Sequence, residues 1–473
     1  MRNNVLSKFI LISTDFVICF FSFFLIKYIL SLLTYADTDN YVFHNKENSY
    51  IIIHFIISSL CCIIFWIRLR HYTYRKPFWF ELKEILKNLM IFFIIEIAII
   101  AFINLYVSRY FWPTLWICIC FLVPIGRIFI KKQLIKLGYY KKDTIIIGNG
   151  KNATAVFNAL NEEKYLGLNI KLFISTDNID KTHIGSVPVT RHNPELLLKI
   201  IDPELTQFVI AIDESYKDKQ EFWLRYLMKH HCRSISIIPD FRGIPLYGTD
   251  MAFLFSQEIM LLRINNNLAK RSSKLIKRIF DIICSSILLF ILLPFLLLIY
   301  ILIRLSGERP IYSHLRVGQN GHEFKCLKFR TMVKDSENIL KNFLDAHPES
   351  KIEWEKNFKL RKDPRITKLG NWLRKTSLDE LPQLFNVLKG EMSLVGPRPI
   401  TKEELSYYQN NIDYYFMTKP GMTGLWQVSG RNKVSYDSRV YFDSWYAKNW
   451  SLWNDIVILF KTIKVVLKKD GAY

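Results

Sequence analysis

Hydrophobic residues gather into four long runs early in this chain, at Phe9–Leu33, Tyr50–Ile67, Leu89–Val107 and Phe111–Ile130. Each approaches or exceeds the roughly 20 residues a helix needs to cross a bilayer. The pattern predicts an N-terminal bundle of four transmembrane helices within residues 1–137. The first run does not suit a cleaved signal peptide: it is too long, it holds Lys27, and no small-residue cleavage pattern follows it.

From Asp143 the pattern shortens to alternating strands and helices. Strands are expected at Thr144–Ile147, Ile170–Ile174, Phe208–Ile212 and Ile235–Ile238, with a helix running to Leu160 after the first. Helical crossovers between short buried strands predict a parallel, Rossmann-like α/β domain over residues 138–268. Its first turn, Gly148-Asn149-Gly150-Lys151-Asn152-Ala153, has the spacing of the dinucleotide fingerprint. That fingerprint also needs an acid closing the second strand, and Asp177 arrives late. A cofactor-free scaffold and an NAD-binding domain both fit this segment.

A fifth apolar run, Ile279–Ile303, has Lys270, Arg271, Lys274, Lys277 and Arg278 before it and Arg304, Arg309 and Arg316 after it. Cations on both flanks favour both ends on one side of the membrane. Pro294 removes a backbone hydrogen bond in mid-run. A re-entrant helix broken at Pro294 is therefore expected over 274–305, inside a mostly helical monotopic domain covering 269–473. An ordinary fifth crossing is the alternative.

Charge sets the orientation. Basic residues crowd the loop after the second run (Arg68 to Lys87) and the stretch after the fourth (Arg127 to Lys142), whereas Asp37, Asp39 and Glu47 dominate after the first. Both ends of the four-helix unit are expected in the cytoplasm, with the soluble parts. The formal charge of +22 suits anionic lipid and phosphorylated substrates. Beside such apolar runs, nucleic acid is the poorer fit. Six of the eight cysteines lie in apolar stretches, and no metal-ligand spacing surrounds Cys232 or Cys326. Asp15 and Glu96 fall inside apolar runs, which raises a transport role; a neighbouring helix that satisfies each is the plainer account.

The densest chemistry follows residue 310. It comprises Lys328-Phe329-Arg330-Thr331-Met332, Asp363-Pro364-Arg365-Ile366-Thr367, Ser377-Leu378-Asp379-Glu380-Leu381-Pro382-Gln383 and Gly396-Pro397-Arg398-Pro399. Leu381, Leu384, Phe385 and Leu388 share a stripe, which predicts Asp379 and Glu380 in the first turn of an amphipathic helix. Ser377 and Glu380 have capping-box spacing, but a cap gives Asp379 no task. Phosphoryl transfer accounts for more of the pattern. Arginines bind phosphate oxygens with a bidentate fork, one carboxylate attacks phosphorus, and another holds Mg²⁺ together with substrate phosphates.

At these motifs the chain resembles the bacterial polyprenyl-phosphate sugar-1-phosphate transferases, and its whole plan looks like the galactose-phosphate-transferring type that begins O-antigen, capsule or exopolysaccharide synthesis. The resemblance implies that Asp379 attacks a UDP-sugar and expels UMP, and that undecaprenyl phosphate then takes up the sugar phosphate. It implies Glu380 as the Mg²⁺ ligand and Arg316, Lys328, Arg330, Arg374 and Arg398 as phosphate and nucleotide contacts. It also implies Pro294 as the break of the re-entrant helix. Galactose is favoured and glucose stays open. Asp455, Arg431 and Pro397 are further site candidates, although Asp455 suits a helix N-terminal charge better. Gly424–Arg431 reads as a turn-rich loop over the site. Trp445, Trp450 and Trp453 suit headgroup level, and a basic amphipathic helix follows, with Ile456, Leu459, Phe460 and Ile463 on one stripe. A membrane-tethered NAD-dependent nucleotide-sugar epimerase is the competing activity. If the small catalytic part suffices for the chemistry, the rest of the chain serves oligomerisation, as a dimer, or regulation.

Overall fold

The computed structural model describes residues 2–34, 43, 46–176, 182–190, 202–203, 205–213, 217–239, 249–254, 259–264, 266–307, 309–333, 335–349, 351, 360, 363–430 and 435–468. The chain splits into two compact units, Met1–Phe241 and Arg242–Tyr473.

The first unit opens with α1 (Arg2–Thr34), α2 (Glu47–Ile67), α3 (Phe78–Phe102) and α4 (Phe111–Lys136). All four are long and apolar enough to cross a membrane. Phe23, Phe65, Leu89, Trp112 and Ile119 fill the space between them, while Phe9, Phe21, Ile52, Ile94 and Phe121 point outward. Outward-facing large hydrophobics on every helix are the mark of a membrane protein. The third helix differs from the apolar run that announced it. It starts earlier, at Phe78, because Glu81, Lys83, Glu84 and Lys87 interrupt the hydrophobicity without interrupting the helix. It stops at Phe102 rather than Val107. Asn104 adopts a left-handed φ of 55°, and Leu105 N–H closes on the carbonyl of Ile100 at 3.0 Å, a helix-ending turn.

The two intramembrane carboxylates are both satisfied by neighbouring helices. Arg127 Nε donates to both oxygens of Asp15 at 2.9 Å, and its Nη1 donates to Glu81 at 2.8 Å. Lys131 completes the group at 2.6 Å from Glu81. Glu96 meets His54 Nδ1 at 2.8 Å and accepts from Trp116 Nε1 at 2.7 Å. Buried charge is tolerated where it is paired and hydrogen-bonded, so these residues knit the helices together.

A six-stranded sheet follows in the same unit. Its elements are β1 (Lys142–Ile147), α5 (Lys151–Glu162), β2 (Leu168–Ile174), β3 (His183–Ile184), β4 (Val187–Thr190), β5 (Gln207–Ile210), α6 (Lys217–Lys229) and β6 (Ile235–Ile237). The strand order is β3-β4-β2-β1-β5-β6, parallel except for β3 against β4. Both faces of β1 are buried, with Ile145 and Ile147 in one apolar cluster and Ile146 in another, as a central parallel strand requires. The short β3–β4 pair is too brief to leave an alternating pattern. Asp177 lies outside the described residues.

The second unit begins with the hairpin β7 (Asp250–Leu254) and β8 (Ile259–Arg263), followed by α7 (Arg271–Leu305). The expected break does not interrupt α7: the segment is helical on both sides of Pro294. A proline forfeits one hydrogen bond and leaves the flanking turns their own. Next come the antiparallel pair β9 (Ile311–Val317) and β10 (Glu323–Phe329), then α8 (Ser336–Ala346), α9 (Lys368–Thr376) and α10 (Gln383–Lys389). The chain ends with β11 (Ser393–Val395), α11 (Ile412–Phe416), β12 (Gly421–Thr423), α12 (Leu425–Ser429), α13 (Tyr436–Lys448) and α14 (Leu452–Lys468). A large apolar cluster runs through the unit, from Leu289, Leu296 and Ile303 on α7 through Phe324, Leu373, Leu384 and Val387 to Tyr446 and Ile458, and a smaller one gathers Val317, Ile400, Tyr408, Tyr415 and Val440.

Candidate active site

Strand alternation sets out the first two cations. Arg316 on β9 and Lys328 on β10 lie on one face of the hairpin, since Arg316 pairs with Phe324 and Lys328 with Tyr312. Arg316 Nη1 donates to Glu404 at 3.2 Å. Beyond β10, the Thr331 carbonyl and Met332 bridge to the Asp363–Thr367 stretch: Thr367 N–H donates to Thr331 O at 3.1 Å, and Met332 pairs with Ile366. Asp363 grips Arg365 at 2.6 and 2.8 Å. Thr367 caps α9 by accepting from Gly370 N–H at 2.9 Å.

The carboxylates sit where α9 gives way to α10. Ser377 ends α9 with a left-handed φ of 56° and makes no side-chain cap. This overturns the capping-box geometry, because a residue in that conformation closes the helix behind it instead of opening the one ahead. Leu378–Glu380 form a single 3₁₀ turn, and α10 starts only at Gln383. Asp379 and Glu380 therefore occupy the connection, with buried Leu373 on one side and Leu384 and Val387 on the other. Lys328 Nζ donates to Glu380 Oε1 at 2.7 Å, and Arg374 Nε donates to Thr331 Oγ1 at 2.9 Å.

Arg316, Lys328, Glu380, Arg398 and Gln427 line one pocket. Arg398 arrives on the Gly-Pro-Arg-Pro segment after β11, which is held by Gly421 N–H donating to the buried Pro397 carbonyl at 2.7 Å. Its guanidinium stands 5.9 Å from the Trp426 ring centroid. Arg330 is set apart from that lining, with its guanidinium 6.0 Å from the ring of Tyr312. The expected turn-rich loop at Gly424 is the short helix α12, and Arg431 lies outside the described residues.

Asp379 is half-buried, and burial raises its carboxyl from an ordinary 3.8 to about 6. The Glu380 carboxylate pushes the same way, and Lys328 and Arg374 pull against both. If the ionised carboxylate is the reacting form, transfer should rise with pH through about 6 and level off above it. A rate profile flat from pH 5 to 8 would contradict this. A carboxyl that holds its proton more tightly when folded adds stability at low pH and gives it up as pH rises through about 6. Asp379→Asn should therefore be more stable than wild type at pH 8, by about 1 kcal/mol once solvent screening is allowed for, with the gap narrowing through pH 5 and closing only below the ordinary carboxylate value, at about pH 3.

Asp455 is neither a pocket residue nor an exposed helix charge. It is 1% exposed and accepts from Lys277 Nζ at 2.7 Å, Tyr446 OH at 2.8 Å and Trp450 Nε1 at 3.0 Å. Burial raises its carboxyl, and the Lys277 ammonium pulls it back. Its place in the helix's first turn suggested a cap, but the apolar neighbours fold it inward. Trp450 is likewise buried rather than at headgroup level.

A polar strip at the foot of α7 was not foreseen from the hydrophobic pattern. Lys277 Nζ also reaches Val395 O at 3.0 Å, Arg278 donates to the carbonyls of Val387 and Leu388 at 2.6 Å each, and Asp281 accepts from Ser393 Oγ and Leu394 N–H. The strip ties the apolar helix to the end of α10 and to β11, which leads into Arg398. The four-residue spacing of Lys277, Asp281 and Ser285 was the available signal, one polar stripe on an apolar helix. Lys277→Met should cost about 3–5 kcal/mol by stranding Asp455, read as a lower melting temperature. Adding Asp455→Leu should restore much of the loss, and a single variant as stable as wild type would refute the pairing. Asp443 on α13 was also missed. It is buried, accepts from Tyr408 OH at 2.7 Å, and is pushed up to about 7 by that burial.

Glu380 in a cationic pocket, with Asp379 beside it in the same turn, on a unit rooted in a long apolar helix, marks a membrane-associated transferase. A family model described as bacterial sugar transferase matches residues 272–469. A Haemophilus influenzae protein named as an uncharacterized sugar transferase is 51% identical over 100% of both chains. The undecaprenyl-phosphate galactose phosphotransferase of Salmonella typhimurium is 52% identical over 93% of this chain and 92% of its own. The UDP-galactose-lipid carrier transferase of Erwinia amylovora is 51% identical over 89% and 88%. The chain belongs to the bacterial sugar transferase family.

Proposed function

We propose that this enzyme transfers a sugar-1-phosphate, galactose-1-phosphate in our reading, from a UDP-sugar to undecaprenyl phosphate at the cytoplasmic face of a bacterial inner membrane. The observation that carries the reading is the Asp379–Glu380 turn beside Lys328, Arg316 and Arg398. An Asp379 oxygen attacks the β-phosphorus, the bond to the departing UMP breaks, and the phosphosugar is left on the carboxylate. The lipid phosphate then attacks the same phosphorus, which frees Asp379 and forms the polyprenyl diphospho-sugar. Arg316, Lys328, Arg374 and Arg398 bind and neutralise phosphate oxygens, and Arg330 serves from the hairpin.

Among the described residues, no three His, Cys, Asp or Glu side chains gather around one point. Mg²⁺ commonly binds through one or two carboxylates and completes its shell with substrate phosphates, and the adjacent Asp379 and Glu380 fit that mode. Bound there, through Glu380, the ion would supply charge neutralisation on the diphosphate. The Rossmann-like reading of the α/β domain, the four-helix bundle and the re-entry of α7, by a bend at Pro294 within an unbroken helix, belong to the same account. Re-entry is favoured by the cations at both ends of α7, and Phe460, Ile463 and Leu467 on α14 offer an exposed apolar strip to the anionic bilayer surface.

The galactose assignment rests on two relatives that match most of the chain and whose names specify galactose. Purified protein should release UMP when given UDP-galactose, undecaprenyl phosphate and Mg²⁺. A panel of UDP-sugars tests this directly. Release with UDP-glucose alone would change the sugar, and release with none of the panel would end the reading.

A further inference from the structure

The Gly148-Asn149-Gly150 turn has no task in sugar-phosphate transfer. It joins β1 to α5 at the carboxyl ends of the strands, and the sheet order reverses at this point, with β2 on one side of β1 and β5 on the other. Open parallel sheets bind ligands in that crevice. A dinucleotide rests its pyrophosphate on the amino end of the helix after the turn, where unpaired N–H groups and the helix dipole favour an anion.

Here that position is taken by the chain itself. Asp213 lies just beyond β5, beside the turn. Its Oδ1 accepts from Asn152 N–H at 2.9 Å, and its Oδ2 accepts from Lys151 N–H at 3.2 Å. These are the first two N–H groups of α5, the ones a phosphate oxygen would take. The carboxylate lies so close that a Cβ on Gly150 would collide with it. The glycine spacing that reads as a phosphate cradle therefore makes room for Asp213. Asn152 closes the other side by donating from its side chain to Ile238 O at 3.1 Å, just past β6.

The amino ends of the strands are engaged as well. Arg75, from the connection between α2 and α3, donates to the carbonyls of Leu166 and Gly167 at 2.8 Å each, and its guanidinium stands 4.4 Å from the Tyr140 ring centroid. The domain is thus docked on the helices at one end of its sheet and sealed at the other.

We propose that Asp213 is a built-in occupant of the anion position, so that this α/β domain works with its dinucleotide crevice closed and takes no NAD. A dinucleotide phosphate entering the turn would meet a carboxylate that already holds both donors, with like charges at contact distance. The proposal does not depend on the transferase reading, and it removes the feature on which an epimerase would rest.

The test uses the full chain in detergent, with NAD and inorganic phosphate as probes. Wild type should show no saturable NAD binding by calorimetry at millimolar concentration. Phosphate binding in the catalytic pocket should raise the melting temperature of wild type and variants alike at constant ionic strength, so the reading is the extra gain of a variant over wild type. Asp213→Ala should melt several degrees lower and regain part of the loss in phosphate, because the free ion fills the vacated position. Asp213→Asn keeps an acceptor oxygen without the charge, so it should fall between the two, and it serves if the alanine variant does not fold. Saturable sub-millimolar NAD binding by wild type overturns the proposal. So does an alanine or asparagine variant that melts like wild type, or that gains no more from phosphate than wild type does.

Discussion

Asp379→Asn should abolish transfer while the protein still inserts and folds. The substitution keeps size and shape and removes only the nucleophilic oxygen, and loss of a covalent nucleophile costs about 10⁴-fold or more. Stability should not fall with it, because burial and Glu380 already make the ionised carboxylate uncomfortable at neutral pH. Loss of activity with an undiminished melting temperature would separate chemistry from folding. Product at near-normal rate would remove Asp379 from its role.

Glu380→Gln should cost about 10²–10³-fold, the scale of losing one electrostatic element around a reacting phosphate. Two companions of that loss identify its origin. The Mg²⁺ concentration needed for half-maximal rate should rise, because the proposed reading gives Glu380 the ion to hold. The acid limb of the rate profile should also move below pH 6, because Glu380 is one of the groups that raise the Asp379 carboxyl. An unchanged metal requirement would take Glu380 out of the metal site.

Much of this was legible in the order of residues, for reasons that differ from part to part. Long apolar runs announce helices because a bilayer demands both length and hydrophobicity, and α1, α2 and α4 lie close to the runs that predicted them. The start of α3 was hidden because Glu81 is paired by Arg127, far along the chain, and Glu84 by Lys76, which lies outside the helix. The motifs around Asp379 were visible as composition, yet their backbone was not. A left-handed Ser377 and a 3₁₀ turn follow from how two helices pack, which no local periodicity records.

Asp455 shows the same limit from the other side. A carboxylate in a helix's first turn has an adequate local explanation, and only its pairing with Lys277, far earlier in the chain, reveals the buried use. Gly150 is the opposite case, a pattern too readily explained. A dinucleotide turn and a turn capped by a distant aspartate place the same demand on backbone space, so the glycines alone could not tell them apart.

The central claim is that the sugar phosphate passes through Asp379 of this chain. It is tested most directly by incubating the purified enzyme with Mg²⁺ and a UDP-sugar labelled in the β-phosphate, with no lipid acceptor, then quenching and digesting it. The account predicts about one labelled phosphosugar per active enzyme, carried on the peptide containing Asp379, and its discharge when undecaprenyl phosphate is added. UMP formed only when the lipid is present, with no label ever held by the protein, would contradict it.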